Sequence, residues 1–219
     1  MPNPGTEWTR AEKSQLRKLA VPGRLQEFLR GLGYPDSGGK YGYTCRSPRY
    51  VLRDRKAHCF EGALFAAAAL EAAGHRPLLI NLQAENDDEH VLAVYRVRGC
   101  WGAVSKSNFI TLGSREPVYR TLRELVMSYF DFYFNTLGTL ALRAYSRPVD
   151  LRCFDDRGWR TTDQSLEYIG DYLDTVPHTR LVDRRQVKGF NPVEPRLLKF
   201  CLELANPKGL FWAKPGGER

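Results

Sequence analysis

Two apolar rhythms divide the chain. Residues 10–32 carry Leu16, Leu19, Leu25, Phe28, Leu29 and Leu32 at helical spacing, broken at Pro22 and Gly23. That predicts a short helix and then a second over about 22–32, with Pro22 in its first turn. Residues 33–44, GYPDSGGKYGYT, have the composition of a loop, and the basic stretch CRSPRYVLRDRK reads as extended near Pro48. An alanine-rich run over about 59–73 predicts a helix that stops at Gly74, a residue suited to the position after a helix end.

The rhythm then shortens. PLLINLQ (77–83) predicts a buried strand, AENDDE (84–89) an acidic loop, and HVLAVYRV (90–97) a second strand. Gly99 turns the chain into WGAVS (101–105) as hairpin partner. Residues 117–134 place Leu122, Leu125, Val126, Tyr129, Phe130 and Tyr133 on one helical stripe starting at Pro117, the pattern of a packed core face. VDLRCF (149–154) and GWRTT (158–162) suggest a further β segment. Thr162 or Asp163 can cap a helix carrying Leu166, Ile169 and Leu173, and a last helix over about 195–205 carries Leu197, Leu198, Cys201 and Leu202. Helices, then strands, then helices predict an α+β fold, with no internal repeat and no clear linker across residues 1–219, hence one domain.

Composition narrows the function. The 219 residues are 42% hydrophobic and 26% charged, as in ordinary globular chains, and no apolar run approaches a membrane span or a secretory leader, so a cytoplasmic protein is expected. The formal charge of +8 raises nucleic acid as a partner, and RSPRYVLRDRK with its interleaved Tyr50 is the stretch for it. The excess is scattered arginine with no basic tail, which favours a solvated surface instead. Five widely spaced cysteines with no CxxC argue against a disulfide framework. Cys45, His58, Cys59 and Cys100 match no usual zinc spacing, and Walker, GxGxxG and HExxH motifs are missing, so no metal or cofactor is expected.

Cys59 and His90 remain. A thiol nucleophile must reach the thiolate form, and a helix N-terminus with Arg53, Arg55 and Lys56 just upstream favours it. His90 opens a strand directly after Asp87, Asp88 and Glu89, which would raise its pKa and favour a thiolate–imidazolium pair. Gly62 and Ala63 would let the helix approach that strand. A buried structural cysteine is the plain alternative.

The stretch AHCFEGALFAAAALEAAGHRPLLINL…DEHVLAVYRVRGCWGAVS resembles the core of the transglutaminase-like superfamily, relatives of the papain-like cysteine proteases. The similarity covers about residues 44–112, and the flanking KSNF…REPVYRTLREL…SYF resembles a bacterial branch of that group. The resemblance implies a Cys-bearing helix packed on an antiparallel sheet, Cys59 as nucleophile, His90 as base, and Trp101 as the tryptophan preceding the third catalytic position. It implies acyl transfer on a protein, peptide or other amide substrate, without metal or organic cofactor.

One position departs from the family pattern. The aspartate expected four residues after the tryptophan is Ser105. Asn108 could orient His90 instead, as could Ser105 or a carboxylate of Asp87, Asp88 or Glu89. A second oxyanion donor beside the Cys59 N–H is sought at Tyr43 or Thr44. A binding scaffold that has lost catalysis is the competing reading, and Ser105 is the feature that favours it.

Overall fold

The computed structural model describes residues 7–35 and 44–216. Helix α1 (Arg10–Leu19) is closed by a capping box of Thr9 and Glu12, and α2 (Pro22–Arg30) starts on its proline. The basic stretch is not extended: it forms α3 (Pro48–Asp54). Pro48 occupies the first helical turn, where a missing N–H costs nothing, so the residue that suggested extension starts the helix.

Helix α4 (Cys59–Ala72) is buried almost all round and ends at Gly74, whose φ of +88° lies in the left-handed region. Strands β1 (Leu78–Ala84), β2 (His90–Val97) and β3 (Cys100–Val104) follow as read. The β2–β3 turn sets both Arg98 and Gly99 at positive φ, the backbone of a tight two-residue hairpin.

The stripe after Pro117 divides differently from the expectation. Residues Arg115–Tyr119 are strand β4, and the helix α5 (Leu122–Phe130) begins only at its Thr121 cap. Proline cannot donate to a ladder, but β4 is an edge strand, where that donor is dispensable. Next come β5 (Leu142–Ser146) and β6 (Val149–Asp150), then a 3₁₀ stretch over Leu151–Arg157. Residues 158–161 form turns and 162 is irregular, so this stretch is not a strand. Helix α6 (Glu167–Thr175), strand β7 (His178–Arg180), helix α7 (Arg184–Lys188) and helix α8 (Pro195–Leu204) complete the described chain.

The molecule is mixed α+β around one seven-stranded antiparallel sheet of order β4-β3-β2-β1-β5-β7, with β6 paired to β1. Its central strands are covered on both faces, which is why they read as nearly continuous apolar runs. Leu79, Val91, Ala93 and Tyr95 face the core built by α1, α2, α4 and α6. Ile80, Leu82, Leu92 and Val94 face a second core containing α5 and Cys201 of α8. Register pairs His90 with Leu82, so His90 lies on the α5 face while α4 covers the other. The two faces meet at the end of the sheet where β2 begins. No helix among the described residues is long and apolar enough to cross a membrane.

Candidate functional site

Cys59 is the first residue of α4 and His90 the first of β2, and both line one cavity of ≈ 110 Å³ at that end of the sheet. Lys106, Ser107, Asn108 and Phe109, just beyond β3, form another wall. The approach of this wall depends on Gly62. A Cβ there would stand 2.4 Å from the Cβ of Lys106, so only glycine lets α4 lie this close.

The Cys59 sulfur lies 3.8 Å from the Glu89 carbonyl, as a protonated thiol donating to it. Burial pushes this thiol up to about 12, and Asp88 adds to the rise. The N–H groups of Val91, Phe60 and Cys59 itself oppose it, two of them from the helix start, and they lose to desolvation. The upstream cations act elsewhere: Arg53 pairs with Asp54 at 2.7 Å, and Arg55 lies 4.0 Å from the Phe28 ring centre. His90 is shifted the opposite way. It is 5% exposed, and burial brings it down to about 4 despite the acidic loop. The resting pair is therefore a neutral thiol and a neutral imidazole, not the ion pair anticipated from Asp87, Asp88 and Glu89.

The orienting partner of His90 is not a side chain. The backbone carbonyl of Leu112 acts on the ring and favours its protonated form. Ser105 holds that carbonyl, its Oγ donating to Leu112 O at 2.6 Å. Gln26 in turn grips Ser105 at both ends: its Nε2 donates to Ser105 O at 2.9 Å, and its Oε1 accepts from Ser105 N at 3.2 Å. Ser105 thus reaches His90 only through Leu112. The Nε2 atom of His90 is buried and has no hydrogen-bond partner. Tyr133 packs edge-on against the ring, 6.3 Å between centres.

Three other expectations are corrected. Asn108 lines the cavity, but its amide grips Asn206, donating to O at 2.9 Å and accepting from N at 2.8 Å, so it does not orient His90. Thr44 donates to the buried carboxylate of Glu61 at 2.9 Å and is not part of the cavity wall. Trp101 pairs with Arg96 in the β2–β3 register, six residues along β2 from His90, and stands under the Arg96 guanidinium instead of at the site. Tyr43 lies outside the described residues.

Two features escaped the reading of the sequence. Glu61, fully buried in the first turn of α4, accepts from the Arg46 backbone N–H at 2.8 Å and the Arg46 guanidinium at 2.9 Å, which fixes the segment before α3 to the start of the helix. An acid in the first turn of a mostly apolar helix was its only signal. Lys106 is buried with its ammonium on the Leu32 carbonyl at 2.8 Å, and burial brings it down to about 8. Among the described residues no His/Cys/Asp/Glu cluster is suited to a metal ion. Comparison with models of protein families, and with curated proteins, finds no match to this chain.

Proposed function

We propose that the protein is a cysteine acyl-transfer enzyme with a transglutaminase-like core, acting on an amide or peptide bond. The observation that carries this reading is the convergence of Cys59, at a helix start, and His90, at a strand start, on one cavity, with the Leu112 carbonyl favouring the protonated imidazole.

The chemistry starts from the neutral pair. As the Cys59 sulfur attacks the carbonyl carbon, its proton passes to His90 and a C–S bond forms. His90 returns that proton to the departing nitrogen as the C–N bond breaks, leaving a thioester. Water or an amine then attacks the thioester carbon, giving a proton to His90, and His90 returns it to the Cys59 sulfur as the C–S bond breaks. The N–H groups at the start of α4 are suited to the oxyanion, because a helix N-terminus leaves them without intrahelical partners.

A second reading has its own observation. The thiol is held high, the imidazole low, and the position expected to carry an aspartate is a serine bound to a carbonyl. Those features suit a binding scaffold of the same fold. Incubation with 4-nitrophenyl acetate followed by peptide mass mapping separates the two. The enzyme reading expects a thioester on Cys59 that is lost in Cys59→Ser and strongly reduced in His90→Ala. Acetylation spread over Cys100 and Cys153, and indifferent to His90→Ala, would overturn it.

A further inference from the structure

Beside the Cys59–His90 cavity lies a second one, of ≈ 320 Å³, and the two share a wall that includes Tyr34, Lys106 and Phe109. Arg30 and Lys106 are the cations of its lining, and no Asp or Glu is among the described residues that line it. Asp87, Asp88 and Glu89 line the neighbouring cavity and not this one.

Lys106 points to what the cavity takes. The residue is 5% exposed, and its ammonium donates to the Leu32 carbonyl at 2.8 Å and stands 4.5 Å from the Tyr34 ring centre. Leu32 and Tyr34 both line this cavity, and Leu32 does not line the other, so the charged end of Lys106 lies on this side of the shared wall. Both contacts are neutral. The carbonyl takes one of the three N–H donors. Burial lowers the ammonium with no carboxylate acting against it, the condition of a buried charge without a counter-ion. Arg30 brings a second cation. It is exposed, and its Nη2 lies 3.8 Å from where a Cβ would stand on Gly113, another lining residue. Among the described residues Arg30 enters no ion pair.

We propose that this cavity seats a carboxylate of the substrate, held between the Arg30 guanidinium and the Lys106 ammonium, while the scissile amide of the same molecule enters the Cys59–His90 cavity. The inference rests on the acyl-transfer reading. Two cations match the two oxygens of a carboxylate. A phosphate offers more oxygens, and the amides of this wall are already engaged, Gln26 with Ser105 and Asn108 with Asn206. Phe109, common to both cavities, is an apolar surface for the short stem between carboxylate and amide. The bound anion gives the buried ammonium the counter-charge that the described residues do not supply.

The test is calorimetric binding of glutaramate, which carries one carboxylate and one amide, to the full-length Cys59→Ser chain. Glutaramide, near in shape but uncharged, is the control, and inorganic phosphate is the rival anion. The expected result is saturable binding of glutaramate, roughly tenfold tighter than glutaramide or better. Arg30→Gln, at an exposed position, should weaken that binding several-fold with no change in the thermal midpoint, and Lys106→Met should weaken it further. Should Lys106→Met fail to fold, pH reads the same residue. The Lys106 charge is present below about 8 and lost above it, so affinity should fall as pH rises from 7 to 9. Its titratable neighbours stay neutral over that range, Tyr34 because burial raises it and His58 because burial lowers it, and Arg30 stays charged. Equal affinity for glutaramide, tighter binding of phosphate, indifference to Arg30→Gln, or a flat pH profile would overturn the proposal. Because Cys59→Ser cannot form the thioester, the outcomes separate. Carboxylate binding without any thioester in the native chain defeats the acyl-transfer reading alone, and a thioester with no preference for glutaramate defeats the subsite alone.

Discussion

The hydroxyl of Ser105 donates to the carbonyl of Leu112 at 2.6 Å, and that carbonyl is the backbone group that favours protonation of the His90 imidazole. Ser105 is thereby a positioning residue acting through a peptide bond. Ser105→Ala should lower acylation of Cys59 by about tenfold, the effect of ~1.4 kcal/mol on a barrier. It should also cost about 1–3 kcal/mol of stability, because the backbone groups gripped by Gln26 remain while a buried hydrogen bond is lost. Asn108→Ala, which touches Asn206 instead, should leave the acylation rate per folded molecule unchanged. Stopped-flow acylation and urea titration of both variants check the pair.

The pH profile of Cys59 alkylation reports the resting charge state. A thiol pushed up to about 12 should react with iodoacetamide at a rate that climbs steadily to pH 10. A plateau reached below pH 7 would mean a thiolate–imidazolium pair. Peptide mapping isolates Cys59 from the other four cysteines.

His90 should also shape acid stability. Its folded pKa of about 4 lies below its ordinary 6.5, so between those values the unfolded chain binds the extra proton. Stability from this residue is complete above pH 6.5 and drains away as pH falls through 4, by about 3 kcal/mol if the shift is fully expressed. His90→Gln should flatten that part of the curve, measured as urea midpoints from pH 7 to pH 4.

Gly62→Ala places a methyl group 2.4 Å from the Lys106 Cβ. Relief requires α4 and the segment after β3 to separate, at a cost of about 1–3 kcal/mol. Since that segment walls the Cys59 cavity, acylation should fall as well, and thermal unfolding together with the acylation assay reads both effects.

Arg46→Ala leaves the carboxylate of Glu61, fully buried, with Thr44 and one backbone N–H. Removing one partner of such a pair should cost about 3 kcal/mol, and Arg46→Lys should recover only part, since the Nε and Nη contacts need the guanidinium fork. Chemical denaturation checks the ranking.

What could be read from the sequence was what its own rhythm encodes. Helices α1, α2 and α4 and strands β1 to β3 follow from apolar spacing and from Pro22, Gly74 and Gly99. Strands β5 and β7 did not, because their pairing is with residues far away in the chain and they are short. Pro48 and Pro117 misled in opposite directions, since one sits in a helix start and the other in a sheet edge. At the site, Cys59 and His90 were legible as chemical types at a meaningful separation. The partner of His90 was not, because a backbone carbonyl has no identity in a sequence: Leu112 looks like any leucine. The pKa shifts were misjudged because neighbouring acids are visible in the sequence and burial is not.

Asparagine side chains fasten the last stretch of the described chain onto the cavity. Asn108 grips Asn206, and Asn86 grips Lys214 in the same two-bond manner, donating at 2.9 Å and accepting at 3.0 Å. Gly209, Leu210 and Phe211, between these clasps, form part of the wall around Cys59 and His90. On the ribosome, then, Cys59 emerges some 150 residues before its own enclosure is made. At several residues a second, that interval lasts on the order of ten seconds or more. Throughout it the thiol lacks the shelter that suppresses its ionisation, so the nascent chain is more exposed to oxidants than the finished one.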